Sequence, residues 1–305
     1  MVLKIILITI IVLFLLYSYI VSEYAFNKAF YEKRKTEEYE INRIKQWGLW
    51  DEEYFENMKI EDVEIKSAEG FKLKGHLIEP YKDSNKYIIL VHGYSAHYSL
   101  HCPFIPLCTN EGFNVLLVEE RAHGSSEGKF ATYGYKESKD LDLWIEYLEK
   151  RHTEPLILGL HGQSMGAATS LICGARNKKV KFIIEDCGYS SAKEQLKYEY
   201  SRKKIASFTL TYWLFYLKVK LRCKFNFNDA NPLKEILKSK TPIFFIHGAK
   251  DIKVPYEMCL SMYEKRKNSK DKLLIVPNAV HLTAYKEAQE KYSKEVYEFI
   301  EDVIR

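Results

Sequence analysis

The chain has 305 residues, 47% of them hydrophobic and 14% aromatic, enough for one large buried core and an ordinary length for a single α/β domain. Its formal net charge of +5 is the small difference between 46 basic and 41 acidic side chains mixed along the whole length. No basic arm or stripe results, so nucleic acid is excluded as an expected partner. The six cysteines, Cys102, Cys108, Cys173, Cys187, Cys223 and Cys259, show neither CxxC spacing nor clustering with histidine. They read as buried thiols with no metal role, although an even count leaves a disulfide open.

The first predicted element is a membrane segment. Ile5 to Val21 reads IILITIIVLFLLYSYIV without a charge, which by the helical rise nearly spans a bilayer core of about 30 Å. An uncleaved anchor is favoured over a cleaved signal peptide, because the run exits as YIVSEYAF and puts Glu23 and Tyr24 where small residues would be needed. Lys4 precedes the run, while Lys28, Lys33, Arg34 and Lys35 follow it among acids, so the charge count favours neither orientation. The expected division is an anchor over 1–24, a polar helix-prone linker over 25–59, and a folded domain over 60–305.

Beyond Ile60 the stretches VEIKS and FKLKGHLIEP, separated by AEG, predict a two-stranded hairpin. Short apolar runs then alternate with helical ones: YIILVHG, a helix around Pro106, NVLLVEE, a helix near Lys136 to Arg151, LILGLHG, a helix from Ser164, and VKFIIED. Two further β/α units, TPIFFIHG with the helix near Tyr256 and KLLIVPN with the final helix, close the chain. The alternation predicts a mostly parallel sheet with helices on both faces. Residues 190–231 carry no convincing strand and read as a helical cap inserted over the sheet. Within it, SFTLTYWLFYLKVKL (Ser207 to Leu221) is too short for a second span. That segment would line an acyl pocket, lie at the membrane surface, or simply bury its apolar face on the domain.

Candidate chemistry centres on HGQSMG. A serine on a tight strand-to-helix turn adopts a strained backbone, so the positions two residues either side must lack bulk, as Gly162 and Gly166 do. The turn would lift the Ser164 hydroxyl to the head of the next helix, where backbone N–H groups favour developing negative charge. The same pattern alone also fits an ordinary serine-capped helix. Of nine histidines only His247 and His281 follow Ser164. His281, in the loop after KLLIVPNAV, is the expected base, and Asp251, just past IFFIHGAK, is the expected acid, with Asp186 competing for that role. The oxyanion donors would be the backbone N–H groups of Met165 and Tyr94, with Gly93 letting the chain approach. His92 and His161 read as loop supports. Neither GxGxxG nor GxxxxGK[ST] is present, so no cofactor is expected, and no metal.

These motifs carry a resemblance. HGQSMG, FIHGAKDIKVP and PNAVHLTAY, with VEERAHGSSEGKF where many members have D-x-R-G-x-G-x-S-x-G, resemble the α/β-hydrolase superfamily of serine hydrolases. The likeness runs from about Glu61 to Arg305. Within that superfamily the chain is similar to the membrane-anchored or exported bacterial subgroup related to Bem46-like and cinnamoyl-esterase-like proteins. Three departures stand out: Glu119 where aspartate is commoner, Ala122 and His123 in the loop, and Val280 where glycine more often precedes the histidine. The resemblance implies an eight-stranded sheet with the second strand antiparallel, no cofactor, and an extracytoplasmic domain held on a single-pass anchor. It implies hydrolysis of short to medium acyl or aromatic esters through an acyl-enzyme. Peptidase or amidase action on small substrates is the alternative activity. A non-catalytic, membrane-tethered binding module is the reading from another class.

Overall fold

The computed structural model describes residues 1–31, 33–203 and 208–305, the side chains of Phe208 and Leu210 apart. Ser207, the first residue of the aromatic cap segment, lies outside the described residues. An N-terminal helix α1 (Val2–Phe30) is followed by α2 (Glu37–Gln46) and α3 (Glu52–Glu56). The sheet begins with β1 (Glu61–Lys66), β2 (Lys72–Ile78) and β3 (Lys86–Val91), and α4 (Ile105–Thr109) leads to β4 (Asn114–Val118). After α5 (Glu137–Glu149) come β5 (Ile157–Gln163), α6 (Met165–Arg176) and β6 (Val180–Asp186). The cap carries α7 (Ala192–Arg202) and α8 (Phe208–Lys218), and α9 (Pro232–Ile236) returns the chain to β7 (Ile243–Gly248). The last unit is α10 (Tyr256–Arg266), β8 (Lys272–Val276), α11 (Ala284–Glu287) and α12 (Gln289–Ile304).

The eight strands lie in the order β1-β2-β4-β3-β5-β6-β7-β8. Only β2 runs antiparallel to its neighbours β1 and β4, and every other pair is parallel. This is the α/β-hydrolase sheet. Its central strands are apolar on both faces, as strands covered by helices on both sides must be, and β3 and β4 are buried along almost their whole length. One core lies between the sheet and α4 and α12. The other lies under α5 and α6, where Leu141, Trp144, Ile145 and Leu148 recur at helical spacing.

The parallel strands all end on one side, and the loops leaving β3, β5, β7 and β8 converge there. A third apolar cluster covers that edge, built from the cap and from the last turns of α1. The division expected after residue 24 thus falls inside one uninterrupted helix. The reason lies in side-chain size. Ser18, Ser22, Ala25 and Ala29 share one face of α1 and are buried, and small residues at this spacing let a second helix approach closely. That helix is α8. Lys218 donates to Ser22 Oγ at 2.7 Å, and Arg222 pairs with Glu23 at 2.7 Å. Residues 25–59 are likewise integrated into the fold: Ile44 of α2 is fully buried in the first core, and Thr36 caps α2 by accepting from the Tyr39 N–H.

Candidate active site

Ser164 sits between β5 and α6 with φ 56° and ψ −115°, a conformation that costs an L-residue on the order of 1–3 kcal/mol. Both flanking glycines are required by contact. A Cβ on Gly162 would collide with the Gly166 carbonyl, and one on Gly166 with the carbonyl of Val91 in β3. The turn is locked to the next strand by the Ser164 N–H, which donates to the Asp186 carbonyl at 2.9 Å.

Ser164 Oγ lies 3.0 Å from His281 Nε2. His281 Nδ1 lies 2.6 Å from Asp251 Oδ2. The three predicted residues thus come together from the ends of β5, β7 and β8, separated by 117 and 30 positions in sequence. The contacts fix the tautomer, with Nδ1–H donating to the carboxylate and Nε2 accepting from the hydroxyl. Burial pushes the His281 pKa below its ordinary value, outweighing the hydrogen bond that its Nδ1–H donates to Asp251. The base is therefore neutral near pH 7.

Asp251 is more fully held than sequence spacing foretold. Its Oδ1 accepts the backbone N–H groups of Lys253 and Val254 at 2.8 and 2.9 Å. Its Oδ2 lies 3.2 Å from Nε2 of His247 as well as facing His281. Burial works against the charge, yet the hydrogen bonds from His247 and His281 hold this carboxyl well below the usual carboxylate range. Sequence order alone marks His247 only as one of the two histidines that follow Ser164. The available signal was its i,i+4 spacing from Asp251 across a tight turn, which folds the ring back onto the carboxylate. Asp186, the competing acid, faces elsewhere: its Oδ2 accepts from Gln163 at 2.9 Å and from the Tyr292 hydroxyl at 3.3 Å.

The loop after β3 crosses directly over the serine, and a Cβ on Gly93 would lie 3.1 Å from Ser164 Cβ. Tyr94 follows it, and Met165 heads α6, where the first N–H groups lack intrahelical acceptors. Both line the same cavity as Ser164 and His281. His92 braces this loop, its Nδ1 donating to the Gly93 carbonyl and its Nε2 accepting the Glu120 N–H at 3.1 Å. His161 instead meets the Tyr292 hydroxyl at 2.9 Å, behind the elbow. The segment leading into α2 adds a further clamp, since the Lys35 N–H donates to the Ser95 carbonyl at 2.8 Å and the Arg34 guanidinium lies 4.5 Å over the Tyr94 ring.

The departures from the family loop have partners of their own. Glu119 meets Nε2 of His76 at 2.9 Å and accepts the Ser125 N–H. Ala122 takes φ 60°, the conformation for which glycine is the commoner choice. His123 accepts the Ser95 N–H at 2.9 Å and so joins this loop to the one over the serine.

Among the described residues one group has metal-ligating side chains close together, Cys187 with Asp251 and His281, their ligand atoms within 4.8 Å. The donor set fits a metal poorly. Asp251 and His281 already share a hydrogen bond, and burial pushes the Cys187 thiol well above its ordinary pKa, which disfavours the thiolate a metal needs. All six cysteines are free and buried.

A cavity of about 370 Å³ opens over Ser164. Its floor is the elbow and the β3 loop, one wall is α7 of the cap, and another is α1 through Tyr24, Ala25, Lys28 and Ala29.

Comparison with known proteins agrees with this architecture. Residues 102–305 match the prolyl oligopeptidase family. The uncharacterised Bacillus subtilis protein YqkD is 33% identical over 279 residues, covering 89% of each chain. Protein bem46 of Schizosaccharomyces pombe is 21% identical, covering 74% of this chain and 72% of its own. Among solved structures, the Pyrococcus furiosus esterase Pf2001 superposes with a TM-score of 0.67 at 27% identity, covering 84% of this chain and 95% of that one. The acylaminoacyl peptidase of Pyrococcus horikoshii gives a TM-score of 0.62 at 18% identity, over 81% of this chain and 42% of its own, and shares the fold.

Proposed function

Since this chain belongs to the prolyl oligopeptidase family of α/β-hydrolase serine hydrolases, we propose that it is a membrane-tethered esterase whose nucleophile is Ser164. The reading rests on one observation, the unbroken hydrogen-bonded line from Ser164 through His281 to Asp251 at 3.0 and 2.6 Å. Ser164 Oγ attacks the ester carbonyl carbon while its proton passes to His281 Nε2. The oxyanion accepts the N–H groups of Tyr94 and Met165, aided by the head of α6. The imidazolium, stabilised by Asp251, returns the proton to the leaving alkoxide as the C–O bond breaks. Water, deprotonated by the same imidazole, then attacks the acyl-serine and releases the acid.

An ester is favoured over a peptide because the cavity is small and walled by α1 and the cap, and because the esterase Pf2001 is 27% identical. The family's name favours peptide cleavage as a second reading. α1 serves as a membrane anchor in this proposal, for its apolar residues up to Ile20 stand outside the folded protein while Ser22 and Glu23 are tied to the cap. The test is fluorophosphonate labelling of the full-length protein in detergent beside S164A, with matched ester and amide substrates. Labelling that depends on Ser164 and faster ester turnover are expected. A folded but unlabelled wild type would leave a binding module, and faster amide turnover would move the reading to a peptidase.

A further inference from the structure

The cavity over Ser164 combines two features that a general esterase pocket does not need. Its inner lining is apolar, from Ala25 and Ala29 of α1 to Leu196 and Val254. Its rim carries Arg202, Lys203 and Lys253, three exposed cations against the single carboxylate of Glu199. Glu199 pairs with Arg202 at 3.0 Å and Lys203 at 3.6 Å, so the rim keeps an excess of positive charge. The second feature is the wall itself. The helix that supplies Tyr24, Ala25, Lys28 and Ala29 to the cavity is the apolar helix read above as the anchor, and only about 8 Å of helix axis separates the end of its exposed apolar run at Ile20 from Ala25. Around that transition Tyr17, Tyr19 and Tyr24 of α1 and Trp213 of α8 are all exposed, the placement aromatic side chains favour at a membrane–water boundary. With α1 as the proposed anchor, this geometry would set the cavity mouth at the bilayer surface.

We propose that the substrate is a single-chain acyl ester with an anionic headgroup, drawn from the membrane surface into the cavity along α1. The inference rests on the esterase reading above. The acyl chain enters between α1 and α7 toward the apolar lining, the ester carbonyl reaches Ser164, and the anionic group stays at the cationic rim. A volume of about 370 Å³ lies at the small end of ligand pockets, suited to one chain and not two. Chemistry balances as in the esterase cycle: the acyl C–O bond breaks, water supplies the new oxygen, and the headgroup alcohol leaves with the proton.

The experiment uses the full-length protein in phosphatidylcholine vesicles. Three probes are compared: dodecanoyl lysophosphatidylglycerol, dodecanoyl lysophosphatidylcholine, and the water-soluble butanoyl ester of glycerophosphoglycerol. Fluorophosphonate labelling is measured in parallel. The anionic lysolipid should be cleaved faster than the zwitterionic one, and K203E or K253E should each cut that ratio about fivefold, the worth of one ion pair. A29W should slow the dodecanoyl probes far more than the butanoyl one, separating a blocked wall from a misfolded chain. Equal rates on the two lysolipids, or a preference for the soluble butanoyl ester, would overturn the proposal while labelling upholds the esterase reading. Absent labelling would overturn both.

Discussion

His247 and His281 approach the same oxygen of Asp251, at 3.2 and 2.6 Å. The carboxylate thus faces two imidazoles, and His247, itself fully buried, also donates from Nε2 to the Val254 carbonyl at 3.0 Å. This second ring positions the acid without touching the reacting atoms. Replacing it, as in H247L, should lower kcat/KM about tenfold, the worth of one charge-assisted hydrogen bond of roughly 1.5 kcal/mol. KM should hold nearly constant. A readout specific to the site is the acidic limb of the pH profile. His247 presses the His281 pKa downward by charge, so its removal should move that limb to higher pH. An unmoved limb with reduced rate would make His247 a packing residue only.

In the proposed mechanism the working base is neutral His281. Activity therefore falls as pH drops through its pKa, which burial holds below the ordinary 6.5. Asp251 stays ionised throughout, its carboxyl being held well below the usual range. The kcat/KM profile on a neutral ester should show one acidic limb, with its midpoint under 6.5. A midpoint above about 7 would mean that a different group titrates in the rate.

The catalytic geometry was legible because its constraints are local. A serine with glycines two residues to each side needs no tertiary information, and the order of Ser164, Asp251 and His281 follows from where successive strands end. Sheet and cap were legible for the same reason, from alternation of apolar runs and its interruption over 190–231. Two features escaped. Hydropathy reads α1 as lipid-facing, and the burial of Ser18, Ser22, Ala25 and Ala29 against α8 depends on a segment nearly 200 residues away. His247 escaped because a histidine at a buried strand end has many ordinary roles, and only the turn from Gly248 to Asp251 brings it to the acid.

The elbow stores strain that a single substitution can release. Ser164 holds φ 56°, and alanine there keeps the Cβ that makes this conformation costly. Glycine removes it, at the expense of a more flexible unfolded chain. S164G should therefore be more stable than S164A by about 1 kcal/mol. In a chain of this size that is a melting-point difference of about 2 °C. Both variants should be inactive. S164G melting at or below S164A would mean that the turn is not strained at this residue.

Far from the cavity, Arg266 and Asp271 form a buried pair, each side chain 1% exposed, with Nε to Oδ2 at 2.7 Å. The guanidinium also donates to the carbonyls of Ile236 and Thr241 at 2.6 and 2.7 Å, and Asp271 accepts the Ile243 N–H at 2.9 Å. The pair therefore joins α9, the start of β7 and α10. R266A would leave a carboxylate and two carbonyls buried without their donor, and should cost about 3–5 kcal/mol. Replacing both partners by apolar residues, as in R266M with D271L, removes the orphaned charge and should recover part of that loss. Labelling of Ser164 per folded molecule should stay at the wild-type level in both variants, because the pair sits at the start of β7, the opposite end from the loop that carries Asp251. Melting curves of the single and double variants decide it: a double variant less stable than R266A would show that the carboxylate stabilises this corner without the arginine.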